Sequence, residues 1–310
     1  MTTAKPKVRR AVHGILLLDK PRGISSNAAL QAVKRLYGAE KGGHTGNLDP
    51  LATGMLPICL GEATKISAFL LDADKHYRTR CLLGVETDSG DSEGKPTQTR
   101  PVPEVLNREV IEAALASFRG EIDQIPPMYS ALKYQGQPLY KLARQGQEIE
   151  RSPRRVNIRR LELMALESPC LELEVECSKG TYIRSLVEDI GRKLGCGAHV
   201  MELRRLASMP FGGMPMYSLS RLEAIVAEGG WEALDPLLLK ADSALPHLPE
   251  LVLSPALAAL LRQGQAVRSD TPPTSGLLRL YAGEGREFMG VGRVLEDGRI
   301  GPKRLIFGQK

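Results

Sequence analysis

The sequence is poor in cysteine and histidine, with five of each among 310 residues. The cysteines are odd in number and form no C-x-x-C pair, and the histidines form no H-x-x-x-H pattern. A disulfide framework, a zinc site and metal-dependent hydrolysis or deamination are therefore disfavoured. The chain also lacks a G-x-x-x-x-G-K-[ST] loop and a G-x-G-x-x-G turn after a strand. We accordingly expect neither a metal nor a cofactor.

Long apolar runs are missing as well. No segment approaches the roughly 18 apolar residues that a membrane helix needs. The basic N-terminus is followed only by the short apolar run Ile15 to Leu18, without a cleavage-like site, so it does not resemble a secretory leader. We expect a cytoplasmic protein with no membrane contact.

The composition that remains is typical of a globular protein, with 42% hydrophobic and 25% charged residues. Lys and Arg number 42 against 36 acidic residues, and this modest excess is clustered. Residues 1–10 contain four basic residues and no acidic one, and residues 151–160 contain five arginines. Such clusters favour a polyanionic partner, nucleic acid ahead of a membrane surface, although a charge run can also be only a solvated face.

Strand and helix patterns alternate irregularly along the chain. Residues 170–177 alternate between apolar and glutamate side chains, which predicts a strand with one buried face. The apolar spacing after Arg184 predicts an amphipathic helix that ends near Gly195. We therefore predict an α+β fold on a mainly antiparallel mixed sheet with flanking helices. The expected divisions are a basic tail (1–12), a main domain (13–247) and a small β-rich C-terminal domain (248–310).

Residues 43–65, GHTGNLDPLATGMLPICLGEATK, are the most informative segment. They place one carboxylate, Asp49, in a loop rich in glycine and proline, ahead of an apolar run that predicts a strand. Glycine permits backbone conformations that other residues avoid, and Pro50 biases Asp49 toward an extended conformation. An Asp-Pro pair by itself is more often an ordinary turn. The rigid frame suggests instead that the direction of this carboxylate is fixed.

The segment resembles the catalytic motif of the bacterial tRNA pseudouridine-55 synthases, the TruB family. Five further motifs follow the family order: DKPRGISS, DADKHYR, GVETDSGDSEG, IPPMYSALKYQGQPLYKLARQG and CSKGTYIRSLVEDIGRKLGCGAH. The resemblance is dense over residues 14–210 and looser beyond. It implies a sheet of the pseudouridine synthase type, isomerisation of uridine 55 in the tRNA T-loop, and a PUA-like RNA-binding domain at the C-terminus, where a packing appendage is the alternative. Asn47 departs from the small residue that the family usually carries.

The resemblance also implies roles for individual residues. Asp49 matches the nucleophile, Arg184 the arginine that pairs with it, and Tyr77 the tyrosine that stacks on the uracil and assists proton transfer at C5. A carboxylate suits the first role because it is ionised at neutral pH without an activating base. His44 matches the residue that fills the gap left by the flipped base, and Tyr182 and Leu203 match positions that contact the target nucleotide. A structural role for His44 and simple core burial for Leu203 are the alternatives. We expect Lys20, Lys65 and Asp91 to bind substrate by supporting these residues or by contacting phosphate.

Residues 124–155 interleave aromatic and basic side chains, which suits base stacking combined with phosphate contact. We interpret this segment as an RNA clamp. The acidic run Glu86, Asp88, Asp91 and Glu93 lacks the spacing of a calcium loop and is better explained as a polar turn.

We expect tRNA as the partner, no obligatory protein partner and a monomeric chain. A tRNA-binding or folding protein without catalysis is the alternative. A glycosidase is more distant because such enzymes normally need two carboxylates.

Overall fold

The computed structural model describes residues 9–269 and 274–308. Most of the expected basic tail, residues 1–8, lies outside the described residues. The described strands are β1 (Gly14–Lys20), β2 (Gly42–His44), β3 (Thr53–Leu60), β4 (Lys75–Leu83), β5 (Val85–Thr87), β6 (Pro96–Thr99), β7 (Gly120–Gln124), β8 (Lys133–Tyr134), β9 (Gln137–Pro138), β10 (Arg154–Glu167), β11 (Cys170–Cys177), β12 (Ala198–Ser208), β13 (Tyr217–Ser218), β14 (Glu250–Leu253), β15 (Leu277–Ala282), β16 (Glu287–Val294) and β17 (Ile300–Leu305).

The described helices are α1 (Ser26–Leu36), α2 (Ser67–Leu71), α3 (Arg108–Ala116), α4 (Leu139–Arg144), α5 (Ile183–Lys193), α6 (Leu219–Gly229) and α7 (Pro255–Arg262). Serine and asparagine side chains begin several of them. Ser25 accepts from the N–H of Ala28 at the start of α1, and Asn107 accepts from the N–H of Val110 at the start of α3. These side chains satisfy backbone donors that the first helical turn leaves open.

The chain divides into two compact units. Of the described residues, the first comprises 9–47, 56–71, 210–269 and 274–308, and the second comprises Leu48–Met55 and Asp72–Met209. In the second unit the strand order is β3-β12-β4-β11-β10-β7. All of these pairs are antiparallel except β3 with β12, so the sheet is mixed and mainly antiparallel, as predicted.

Strand β11 confirms the predicted alternation. Its apolar side chains are buried, with exposed fractions of 1% or less for Leu171, Leu173, Val175 and Cys177. The intervening glutamates take ion pairs on the other face, where Glu174 lies 2.9 Å from Arg78 and 3.4 Å from Arg160. One face of this sheet therefore packs in the hydrophobic core, and the other carries a network of ion pairs.

Two long strands had no clear sequence pattern. Register shifts interrupt β10 between Ile158 and Arg160, and β12 between Val200 and Glu202. A bulge inserts an extra residue and moves the following side chains to the other face. The period of two is therefore broken in both strands, which is why it could not be read from the sequence.

The first unit contains β1 beside β13, the hairpin of β2 with the second half of β3, and the C-terminal module. The module is a four-stranded sheet in the order β14-β15-β16-β17 with α7. Its core is apolar: Leu251, Leu253, Ala258, Leu261, Val267, Leu278, Leu280, Met289 and Ile300. The predicted β-rich character of this region is confirmed. Its RNA-binding role stays a prediction.

The arginine cluster of residues 151–160 is largely ion-paired. Arg159 lies 2.5 Å from Asp74, and Arg160 lies 2.6 Å from Glu162. Arg155 lies within 3.8 Å of two carboxylates on β7. Much of the positive charge that suggested a polyanion-binding surface is thus neutralised by acidic neighbours.

Candidate active site

The Asp49 carboxylate is carried by the turn that leads into β3. Leu48, Leu51 and Ala52 are buried around it, with exposed fractions of 5% or less, and the N–H of Ala52 donates to the Asp49 carbonyl at 3.0 Å. The side chain of Asp49 itself is 37% exposed. Apolar neighbours therefore anchor the turn while one carboxylate remains accessible to a ligand.

Arg184 holds this carboxylate from the second residue of α5. Its Nε lies 2.9 Å from Asp49 Oδ2, and its side chain is 5% exposed. Its two terminal nitrogens each donate at 2.7 Å to a main-chain carbonyl, those of Ser89 and Tyr129. Because these acceptors lie on separate segments, the guanidinium has little freedom. A fixed cation at this distance favours the ionised carboxylate and orients it.

Asp91 lies behind the pair. Its Oδ2 is 3.8 Å from Arg184 Nε, and Oδ1 accepts from the Ser89 hydroxyl at 2.6 Å and from the N–H of Glu93 at 3.1 Å. The acidic run of the sequence is thus a closed polar turn. It presents the Ser89 carbonyl and the Asp91 carboxylate to Arg184.

Tyr77 lies on β4 between β11 and β12, in register with Val175 and Arg205. The residue is 8% exposed. Burial raises the pKa of its phenol, and the Asp49 carboxylate adds to this rise. The guanidinium of Arg205, which hydrogen-bonds the phenol, opposes it. The structure therefore brings the Asp49 carboxylate, the Arg205 guanidinium and a buried phenol into one electrostatic environment.

Tyr182 immediately precedes α5. Its main-chain N–H donates to Gln124 Oε1 at 2.8 Å, and its carbonyl accepts from Gln124 Nε2 at 3.0 Å. This paired contact fixes the start of the helix that carries Arg184. Burial raises the pKa of the Tyr182 phenol. Leu203, 8% exposed, lies on β12 opposite Thr79.

Three predicted substrate contacts belong to the first unit. Lys20 is fully buried at the end of β1, where its ammonium donates at 2.8 Å to the carbonyls of Pro21 and Ile24. The Lys65 ammonium lies 2.6 Å from the Glu62 carboxylate and donates at 2.9 Å to the Leu305 carbonyl. It also lies over the ring of Phe307. His44 ends β2, where it pairs with Ile58.

Sequence reasoning missed two buried polar residues, Gln124 and Arg205. Gln124 is 1% exposed at the end of β7, and Arg205 is 1% exposed on β12. A glutamine at a strand end and one arginine of a basic pair are usually surface residues. Only the strand register, which turns both side chains inward, distinguishes them.

Three family models match this chain. Residues 34–183 match the N-terminal domain of the TruB family of pseudouridylate synthases. Residues 184–246 match the C-terminal domain of tRNA pseudouridylate synthase B, and residues 249–306 match the C-terminal region of pseudouridine synthase II TruB.

The chain belongs to the TruB family.

Membership makes the protein a pseudouridine synthase, an isomerase that acts on RNA. Among the family's curated members, the chain is 58% identical to tRNA pseudouridine synthase B of Stutzerimonas stutzeri, over 97% of each chain. It is 52% identical to the protein of that name from Vibrio cholerae, over 98% of each chain.

A solved Cbf5–Nop10–Gar1 complex contains a chain with the same fold. The TM-score is 0.70 at 26% identity, covering 99% of this chain and 87% of that one.

None of the helices in the described ranges is both long and apolar enough to cross a membrane.

Proposed function

We propose that the protein converts uridine 55 in the T-loop of tRNA to pseudouridine, with Asp49 as the nucleophile. The observation that carries the proposal is the contact of 2.9 Å between Asp49 and the buried Arg184. Relatives named tRNA pseudouridine synthase B over nearly the whole chain support tRNA as the substrate. The T-loop suits the reaction because loops, unlike duplexes, display bases that a protein can read and extrude.

The first half of the reaction breaks the bond between uracil N1 and the ribose. A carboxylate can attack without a general base because it is already ionised at neutral pH. Arg184 keeps Asp49 ionised and aimed while water is excluded by the bound nucleotide. Product and substrate are isomers, so the reaction needs no external reductant, oxidant or group donor.

In the first half the Asp49 carboxylate bonds C1′ of the ribose while the uracil leaves with the electron pair of the N1–C1′ bond. In the second half the turned uracil bonds C1′ through C5 and the C1′–Asp49 bond breaks, which returns the carboxylate. The uracil ring is then restored. The C5–H bond breaks, and its electron pair forms the C5–C6 double bond. The pair of the C6–N1 double bond moves to N1, which takes a proton from solvent. We assign acceptance of the C5 proton to the phenol oxygen of Tyr77, whose ring also stacks on the base.

The target nucleotide must leave its stack before Asp49 can reach it, at a cost of a few kcal/mol. We assign His44 to the space that it vacates, and Tyr182 and Leu203 to the walls around the extruded base. Asp91 supports Arg184 from behind. For Lys20 and Lys65 a contact with tRNA stays a prediction, since both ammonium groups already donate to main-chain carbonyls.

The test is release of tritium from tRNA labelled at uridine C5. We expect Asp49→Asn to abolish release and to leave the Kd for tRNA within about twofold, because the carboxylate acts in chemistry more than in binding. Asp189→Asn is the matched control. It removes the same charge from another Asp–Arg pair, 2.5 Å apart on α5, and should retain activity.

Undiminished release by Asp49→Asn would refute Asp49 as nucleophile. Wild-type protein that binds tRNA but releases no tritium would indicate a binding or folding protein instead. Mapping the product in the transcript identifies the modified position, and pseudouridine at another uridine would refute position 55.

A further inference from the structure

Arg205 is a buried cation that contacts two parts of the candidate site. It lies on β12, is 1% exposed and is among the largest fully buried side chains of the described residues. Burial of a guanidinium is costly unless its donors are satisfied. A charge kept in such a position therefore calls for an explanation beyond packing.

The first contact is to the strand that follows the Asp49 turn. Arg205 Nε donates at 2.7 Å to the carbonyl of Met55. The backbones of the two strands also approach closely at this point, where Gly54 pairs with Arg205. A Cβ at Gly54 would lie 2.2 Å from the Arg205 carbonyl oxygen. The position of Arg205 is thus tied to the exit of the turn that carries Asp49.

The second contact is to Tyr77. Arg205 and Tyr77 are register partners on β12 and β4, so their side chains project from the same face of the sheet. The guanidinium hydrogen-bonds the phenol oxygen. One side chain therefore connects the strand after the nucleophile with the residue assigned to the C5 proton.

We propose that Arg205 is a positioning residue that fixes the Tyr77 phenol relative to the Asp49 turn and stabilises negative charge on the phenol oxygen. The inference rests on the proposed function, and it adds a residue that acts through Tyr77. A phenol that must accept a proton works only as phenolate, and burial alone disfavours that form. A guanidinium beside the oxygen reduces this cost, although the pKa of the phenol stays above its ordinary value, and the guanidinium remains charged throughout the working pH range.

The charged and titratable groups around the phenol come from each neighbouring element. They are Arg205 on β12, Cys177 on β11, Asp49 in the turn before β3 and Lys75 on β4. Asp49 and Cys177 favour the neutral phenol, whereas Arg205 favours the phenolate. Burial lowers the pKa of Lys75 to about 8, with Arg205 adding to that shift, so Lys75 carries less charge as the pH rises. Of the two cations in this set, Arg205 is the one whose charge stays constant between pH 6 and 9.5.

The test compares Arg205→Met, which removes charge and donors, with Arg205→Lys, which keeps the charge. The measurement is the single-turnover rate of tritium release between pH 6 and 9.5, with saturating protein. We expect Arg205→Met to be at least tenfold slower at pH 7.5 and to reach its maximal rate at higher pH than the wild type. The Kd for tRNA should remain within twofold. Arg205→Lys should recover most of the rate and the wild-type pH profile.

Arg78→Met is the matched control. Arg78 follows Tyr77 on β4 but points to the other face, where it pairs with Glu174 at 2.9 Å. Its rate and pH profile should match the wild type. A rate for Arg205→Met equal to that of the wild type, or a loss of rate with an unshifted pH profile, would overturn the inference.

A second measurement does not depend on folding of the Arg205 variants. In protein labelled with ¹⁵N-arginine, the guanidinium N–H signals of Arg205 should exchange slowly with solvent. Tyr77→Phe removes only the phenol oxygen, and we expect the exchange to become at least tenfold faster. Unchanged exchange would overturn the inference. Failure of the proposed function is distinguishable, because wild-type protein would then release no tritium at all.

Discussion

Gly54 shows how one residue without a side chain positions the candidate nucleophile. Its φ is +98°, in a region that L side chains rarely adopt, and the Arg205 backbone occupies the place of a Cβ. Both constraints arise where the Asp49 turn becomes β3. Glycine is therefore needed twice at this point, for its conformation and for the close approach of two strands.

We predict that Gly54→Ala destabilises the protein by about 3 kcal/mol or more, because backbone strain and a backbone clash add. Urea unfolding measures this. Gly120→Ala is the matched control, since Gly120 has a φ of +83° but open space around its Cβ position. It should lose only about 1–2 kcal/mol. Equal losses in the two variants would show that the clash contributes nothing.

Arg184 illustrates the complementary case, a residue that depends on its acceptors. The Ser89 and Tyr129 carbonyls and the Asp49 and Asp91 carboxylates come from three separate segments of the chain. Because all four groups bind the same guanidinium, Arg184 holds the Asp49 carboxylate more tightly than a surface ion pair could. Exposed ion pairs contribute little to stability.

Helix α5 is the element that organises the site. Gln124 fixes its first turn, and its apolar face, Ile183, Leu186, Val187 and Ile190, is buried. One turn after Arg184 comes Glu188. Burial raises the pKa of this carboxyl to about 7. The nearby positive charge of Arg192 lowers the pKa but does not cancel the effect of burial.

The raised pKa makes Glu188 a source of pH-dependent stability. The folded protein binds this proton more tightly than the unfolded chain, whose value is near 4.5. The stability that Glu188 contributes is therefore fully present below pH 4.5 and is lost as the pH rises to about 7.

We predict that Glu188→Gln gains stability relative to the wild type between pH 4.5 and pH 8, by up to about 3 kcal/mol. Urea unfolding of both proteins at several pH values gives the difference directly. Glu121→Gln, at an exposed carboxyl on β7, serves as the control. A difference for Glu188→Gln that stays constant with pH would contradict the assignment.

At the scale of the molecule, the distribution of charge matters more than its net value of +6. Arg155, Arg159 and Arg160 of β10 are paired with carboxylates, whereas Lys133, Lys141 and Arg144 on the clamp segment are exposed. Exposed cations on this hairpin and short helix are accessible to phosphates, and Arg144 also lies over the Tyr140 ring. We therefore expect much of the electrostatic attraction for tRNA to come from the clamp.

We predict that Lys133→Gln and Lys141→Gln each weaken tRNA binding several-fold and reduce the slope of log K against log[salt] by about 1. Filter binding between 50 and 300 mM salt measures both quantities. Arg159→Gln, which removes a cation already paired with Asp74, should leave the slope unchanged. A slope that none of the three variants alters would place the phosphate contacts elsewhere.

The sequence by itself determined the family, the α+β class and the presence of Asp49 in a rigid turn, because these depend on local motifs and short-range periodicity. The alternation of β11 and the amphipathic helix that carries Arg184 were both legible for the same reason. Only the tertiary structure decided the path of β10 and β12, where bulges break the alternation, and the pairing of the arginine cluster with acids from β7 and the loop before β4. It also revealed Gln124 and Arg205, since a side chain becomes a positioning group only when strands distant in sequence bring its partners within hydrogen-bonding distance.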